Sequence, residues 1–255
     1  MSEGRLPETS GDQWDAMAKV YQRITVGTSH RPIGVMLARA NALLPFSQAT
    51  GILDTGCGPG PVMQRILEEH PLPESCSLTC ADFSEGMIKL VREQKEEQTK
   101  KKSDSPWQRL EVMIQDAMDL DKIQDASQSH VTAGWVFFMT KDPQKCLSES
   151  KRALKDGGVL TCSSWKGSEW LDLTNLLKVV RPDKVMPELP AGWREADAMK
   201  AELEKAGFRD VACEEVTTKL SFDSMDELVD FMLTKMPHSK TPYMPLHMDQ
   251  ILIAA

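Results

Sequence analysis

The sequence predicts an α/β fold built on a doubly wound, mostly parallel sheet. Three observations carry this. Short apolar segments alternate with longer helical ones at the spacing of strand–helix–strand units. The first apolar segment, Gly51-Ile52-Leu53-Asp54, runs straight into a glycine-rich turn and a helix. Three segments in succession then end in residues suited to holding a ligand, at the carboxyl edge where such sheets bind them.

Each element follows from local chemistry. A helix runs from about Pro61 to Glu69, with proline in the first turn, where its missing N–H is harmless. Ser77 to Ala81 is the second strand. Ser84 to Gln98 is a helix with Met87, Ile88 and Val91 on one face, Ser84 as N-cap and Glu85 in the positive first turn. Leu110 to Ile114 is the third strand, and Val131 to Phe138 the fourth. Pro143 to Leu154 is a helix, which Lys155-Asp156-Gly157-Gly158 ends and turns into the strand Val159 to Ser163. Glu195 to Lys205 is a helix closed by Gly207, Phe208 to Leu220 contains a strand, and Ser224 to Lys235 is a last helix. Asp12 to Leu44 supplies one or two helices that cap the sheet. The charge-dense stretch Glu93 to Ser105 reads as a solvated helix end running into a loop. Gln250 to Ala255 alone could supply a final strand. Either it is a stub that shortens the C-terminal edge, or the segment does something else, such as pairing with a second chain in a homodimer.

Composition narrows the function. Thirty Lys and Arg against 38 Asp and Glu give a net charge of −8, the wrong balance for gripping nucleic acid. The apolar run Val131 to Met139 is far below the roughly 20 residues that cross a bilayer, so no membrane partner is expected. Met1 to Ser10 has no basic or apolar region of a secretory signal. Six cysteines, at 57, 76, 80, 146, 162 and 213, lack CxxC spacing and read as reduced thiols of a cytoplasmic protein. His70, Cys76 and Cys80 could be imagined around a metal. The strand Leu78-Thr79-Cys80-Ala81 offers no further ligand, so no metal site is expected.

The chemistry gathers at the strand ends. Asp54-Thr55-Gly56-Cys57-Gly58-Pro59-Gly60-Pro61 places three glycines on alternate positions, which lets the backbone pass close to a ligand. A dinucleotide fingerprint needs glycine where Pro61 stands, so the loop suits a nucleoside without a diphosphate. The second strand ends in Asp82-Phe83, 22 residues beyond Gly60, where a carboxylate can accept from both ribose hydroxyls. After the third strand, Gln115-Asp116-Ala117-Met118 offers a carboxylate for an exocyclic amine beside apolar neighbours.

These residues resemble the motifs of the class I S-adenosylmethionine-dependent methyltransferases. Ile52 to Gly60 is similar to their first motif, Asp82-Phe83-Ser84-Glu85-Gly86-Met87 to their acidic loop, and Gln115-Asp116-Ala117 to their third motif. Leu154-Lys155-Asp156-Gly157-Gly158-Val159-Leu160 is similar to their post-strand L-x-x-G-G-x-L signature. The likeness is to the small UbiE-like branch and, in the texture of the N-terminal segment, to fungal secondary-metabolite enzymes. It implies a Rossmann-like fold in one domain, 1–255. Residues 12–44 would be a helical cap, 50–165 the cofactor-binding core, and 166–255 the substrate-side helices and last strands.

The resemblance also implies roles. Asp54 with Gly56, Cys57, Gly58 and Gly60 would face the methionine part of S-adenosylmethionine, Asp82 the ribose, Phe83 and Met87 the adenine faces, and Asp116 with Ala117 the adenine edge. Tyr21 would close over the methionine end, or else pack on the sheet as an ordinary helix tyrosine. Trp135, at the end of the fourth strand, would border both cofactor and acceptor. Strand alternation gives Trp135, Phe137 and Met139 one direction and Val136 and Phe138 the other. Trp165 and Trp170 are lid candidates. No histidine is an evident base: His130 precedes the fourth strand, His30 lies in a link at the cofactor mouth, and His238 and His247 fall in a Pro- and Met-rich stretch. No catalytic residue is assigned. The reading is methyl transfer to O, N or S of a small apolar natural product. The alternatives are a catalytically silent relative acting as a partner or scaffold and, more remotely, an NAD-dependent oxidoreductase.

Overall fold

In the computed structural model, seven strands form one sheet in the order β3-β2-β1-β4-β5-β7-β6. The described residues are 11–12, 14–15, 18, 29–102, 104–167, 190–218, 224, 226 and 248–254, the last group through its backbone. The strands are β1 (Gly51–Thr55), β2 (Ser77–Asp82), β3 (Leu110–Ile114), β4 (Gln128–Gly134), β5 (Leu154–Gly167), β6 (Ala212–Thr218) and β7 (Met248–Ala254). The helices are α1 (His30–Leu43), α2 (Pro61–Glu69), α3 (Glu85–Lys101), α4 (Pro143–Ala153) and α5 (Ala196–Lys205). The first five strands pair in parallel, so their carboxyl ends share one edge. The order reverses between β1 and β4, and the crevice at that reversal is the usual ligand site.

Caps and burial explain the elements. All five residues of β1 are buried between β2 and β4. Val62, Met63, Ile66 and Leu67 form the inward face of α2. Ser84 caps α3, its hydroxyl oxygen accepting the Met87 N–H at 3.1 Å, and Asp142 caps α4 by accepting the Lys145 N–H at 3.0 Å. The cationic end of α3 is solvated as expected, with Lys101 paired to Glu97 at 2.7 Å.

Five expectations need correction. The fourth strand stops at Gly134, and Trp135 takes a left-handed φ of +59° before a 3-10 turn over Phe137–Met139. Trp135, Phe137 and Met139 therefore do not share a strand face. Lys155 to Gly158 do not lie outside the strand. They form a bulge within β5, between the pairs Gln128–Leu154 and His130–Val159, with Gly157 at φ +75°. His30 opens α1 and is not part of a link, and His130 lies inside β4 opposite Ile52. The C-terminal segment is neither an edge stub nor free to meet a second chain through this strand: β7 runs antiparallel between β5 and β6. Most of the helix expected over Ser224 to Lys235 lies outside the described residues.

His130 shows what holds the amino-terminal edge. Its ring stacks on Phe46 at 4.7 Å, with Nδ1 at 2.9 Å from Ser129 Oγ and Nε2 at 2.9 Å from the Leu44 carbonyl. Burial lowers its pKa, so the ring is held neutral and structural.

The outer edge of the sheet is blocked by cations. The Leu110 carbonyl of β3 accepts from Lys95 Nζ at 2.6 Å, Val112 from Arg92 at 3.3 Å and Ile114 from Lys122 Nζ at 3.2 Å. These alternate carbonyls would otherwise template another strand. We expect Arg92→Ala/Lys95→Ala to self-associate more than the parent in sedimentation velocity at equal concentration. Identical sedimentation would show that the caps do not guard the edge.

Candidate functional site

The loop leaving β1 is built on glycine. Gly56, Gly58 and Gly60 hold φ of +61°, +54° and +85°, a region side-chain-bearing residues rarely enter. A Cβ on Gly56 would lie 2.5 Å from the Val136 side chain, so the exit of β4 packs directly on this loop. The Cys57 N–H donates to the Ala81 carbonyl at 3.0 Å, and the Gly60 N–H to the Cys57 carbonyl at 2.9 Å. Pro61 then opens α2 without a donor.

Asp82 closes β2 beneath that loop. Its two carboxylate oxygens accept the Gly58 N–H at 2.8 Å and the Ser84 N–H at 2.9 Å. It does not cap α3, which is the task of Ser84. Burial pushes its pKa up to about 6; the Ser84 and Gly58 amides pull the other way, and the nearby charge of Asp15 raises it further. Beside it Phe83 keeps 38% of its surface exposed, while Met87 is buried. At the end of β3, the Gln115 N–H donates to the Asp82 carbonyl at 2.9 Å. Asp116 is half-buried, accepting the Met118 N–H at 2.8 Å, and Ala117 is buried.

Asp54 lies deeper than the sequence suggested. It is fully buried, with one oxygen accepting from Thr132 Oγ1 at 2.7 Å and the other without a partner among the described residues. Burial raises its pKa to about 7 against the lowering effect of the Thr132 hydroxyl and of the Met63 amide, which polarises the carboxyl without forming a well-aligned hydrogen bond to it, and Asp82 adds to the rise. The Cys57 and Cys80 thiols are likewise pushed up by burial, which disfavours their thiolates as nucleophiles.

The ends of β4 and β5 carry an aromatic wall. Trp135 N–H donates to Ser163 Oγ at 3.0 Å, bracing its left-handed backbone. Such a conformation costs roughly 1–3 kcal/mol. Burying an indole of 150–250 Å² at about 25 cal/mol per Å² more than offsets it. Phe138 packs on Trp165 with ring centres 5.3 Å apart, and Phe137 meets Trp193 edge-on at 6.1 Å. The indole N–H groups of Trp135 and Trp165 are buried without a partner among the described residues.

Asp54, the three glycines, Cys57, Asp82, Phe83, Met87, Asp116, Ala117 and Trp135 thus lie along successive carboxyl ends of β1, β2, β3 and β4. Tyr21, Trp170, His238 and His247 lie outside the described residues. His130 stands at the opposite edge of the sheet, and His30 is exposed at the start of α1. Sequence reasoning missed Thr132, Val136, Ser163 and Asp15. The first three act through cross-strand contacts that no local spacing encodes.

A 3-2-1-4-5-7-6 sheet with a glycine loop after β1 and an acidic residue after β2 defines a class I methyltransferase. The residues fit its cofactor: the unpartnered Asp54 oxygen suits an ammonium group, and the open face of Phe83 suits a flat ring. The sequence matches the methyltransferase domain family over residues 53–162. It is 38% identical over 228 residues to methyltransferase ucsB of an Acremonium species, spanning 89% of this chain and 79% of that protein. In fold it is similar to a Haloferax volcanii methyltransferase complexed with the Trm112 activator, at TM-score 0.65 and 18% identity over 96% of each chain. It is also similar to Haemonchus contortus phosphoethanolamine N-methyltransferase 2, solved with phosphomonomethylethanolamine and S-adenosylhomocysteine. There the TM-score is 0.62 and the identity 18%, over 96% of this chain and 57% of that one. The chain belongs to the S-adenosylmethionine-dependent methyltransferases, which sets aside the NAD-dependent reading.

The Asp54 environment makes a testable statement. Its folded pKa of about 7 lies above the unfolded 3.8, so its contribution to stability is complete below 3.8 and lost as pH rises through 7. Asparagine mimics the protonated form. Asp54→Asn should therefore melt a few degrees above the parent at pH 8.5, with the difference reduced to less than half near pH 5. An equal difference at both values would show that Asp54 does not titrate in this range.

Proposed function

We propose that the chain methylates O, N or S of a small apolar acceptor, as fungal secondary-metabolite methyltransferases do, in the cytoplasm. The observation that carries this is the wall at the ends of β4 and β5. Trp135, Val136, Phe137, Phe138, Trp165 and Trp193 form an uncharged apolar cluster that meets the glycine loop through Val136 and holds two indole donors without partners among the described residues. Such a wall binds a flat acceptor by area, and a donor can orient an oxygen on it. The net charge of −8 supports a small molecule over nucleic acid. The described helices support a protein that does not cross a membrane: none is long and apolar enough to do so.

Each site residue then has a task. Asp82 accepts from the ribose hydroxyls through the lone pairs its two amide donors leave free. Phe83 and Met87 flank the adenine, with Asp116 and Ala117 at its edge. The glycine loop and the free Asp54 oxygen serve the methionine end, with Tyr21 closing over it. When bound, S-adenosylmethionine supplies an electrophilic methyl on a sulfonium. The protein's share is to align the acceptor and exclude water, which the rigid aromatic wall does. Among the described histidines, His70 and His130 pack against Phe46 at the far edge and His30 is exposed, so positioning carries the catalysis.

Incubation with methyl-labelled S-adenosylmethionine and an extract of the source organism tests this. Label in an organic-soluble small molecule is the expected result, and label in protein or RNA would overturn it. Asp82→Ala should weaken cofactor binding by roughly 1.5–3 kcal/mol in calorimetry. Trp135→Phe keeps the ring and removes the N–H. It should lower turnover of that acceptor far more than cofactor affinity, whereas equal losses would set Trp135 against the cofactor itself.

A further inference from the structure

We propose that Asp15 latches the N-terminal segment onto the first turn of α3 and so keeps the cofactor's ribose seated, making it a positioning residue for methyl transfer. The latch rests on the reading of Asp82 as the ribose acceptor. Asp15 Oδ1 accepts the Gly86 N–H at 2.8 Å and the Ser84 hydroxyl at 2.5 Å. Ser84 is shared, because its own N–H donates to Asp82 Oδ1 and its hydroxyl oxygen accepts from Met87. Asp82 in turn accepts from Gly58 of the glycine loop. One unbroken hydrogen-bond path therefore joins the N-terminal segment to the floor of the cofactor site.

Backbone packing marks the same contact. A Cβ on Gly86 would lie 2.9 Å from Asp15 Cα, and a Cβ on Gly11 would lie 3.3 Å from the Phe83 carbonyl. The segment thus rests on the β2–α3 turn at two points, one of which admits no side chain larger than hydrogen. The carboxylate of Asp15 also complements the positive first turn of α3. Its charge stands beside that of Asp82, linked only through Ser84. Ribose hydroxyls donating to Asp82 disperse that second charge and tighten the latch. By linkage a closed latch then holds the ribose more firmly.

The test is the release rate of S-adenosylhomocysteine from the full chain, with the affinity measured in parallel. Asp15→Ala removes the carboxylate. Gly86→Ala leaves both carboxylates intact, favours α3 as a helix and blocks the seat sterically. Each should release the ligand about tenfold faster, a coupling of ordinary size between two linked sites. The double variant should be no faster than either single one. Asp15→Asn, which keeps an accepting oxygen, should stay within about threefold of the parent. Gly86→Ala releasing at the parent rate would overturn the latch, as would Asp15→Asn and Asp15→Ala behaving alike. If Asp82→Ala leaves the affinity unchanged, the ribose reading fails. If Asp82→Ala weakens binding while Asp15→Ala and Gly86→Ala match the parent, the latch alone fails.

Discussion

The Asp82 carboxylate stands at the end of β2 with one oxygen on the Gly58 amide and the other on the Ser84 amide. Those two contacts join the loop that leaves β1 to the turn that starts α3, and almost everything at the carboxyl edge depends on them. The left-handed loop glycines point an amide inward that needs an acceptor, because an orphaned buried N–H costs on the order of 1–3 kcal/mol. The turn before α3 has the same need. A single buried carboxylate meets both, with one amide on each of its oxygens. Support of the loop and the proposed recognition of ribose are thus two uses of the same four lone pairs.

Most of this edge was legible in the sequence, for reasons that differ by residue. Pro61 and Ser84 mark helix starts because their backbone chemistry is local, and the structure begins α2 and α3 where they stand. The glycines at 56, 58 and 60 announce a conformation that other residues avoid, and all three adopt it. Trp135 gave no such warning. Trp-Val-Phe-Phe-Met has the composition of a strand, and a left-handed tryptophan is set by Ser163 and Val136, which only the folded sheet brings near. The bulge at Lys155 to Gly158 was read as a turn because glycine pairs signal both. Pairing of β7 with β5 and β6 was illegible because it joins residues far apart in sequence through backbone atoms that any side chain would leave unchanged.

Burial of two carboxylates under the same loop sets a tension within the site. Asp54 and Asp82 are both desolvated, both pushed up in pKa, and each raises the other or is raised by a neighbouring acid. A fold optimised only for stability would place apolar groups there, since removing water from a carboxylate is expensive unless donors replace it. The structure supplies donors unevenly. Asp82 receives two backbone amides, whereas Asp54 receives the Thr132 hydroxyl and leaves one oxygen unpartnered among the described residues. An unsatisfied buried acceptor at the carboxyl edge of a sheet is what a site kept ready for a cationic ligand group requires.

The same logic extends to the acceptor side. Two indole N–H groups are buried without partners among the described residues where β4 and β5 end, and Phe138 and Trp165, and Phe137 and Trp193, pack through ring carbon. Phenylalanine would keep most of the apolar packing without an orphaned donor. Unsatisfied donors in the aromatic cluster and an unsatisfied carboxylate oxygen at the end of β1, all among the described residues, are the polarity that the proposed function assigns to acceptor and cofactor in turn. An acceptor that offers oxygen lone pairs to the wall and turns its nucleophilic atom toward the glycine loop answers both. Ser163 is the residue that fixes this arrangement, because its hydroxyl oxygen takes the Trp135 N–H and keeps the strained backbone from relaxing into a longer strand.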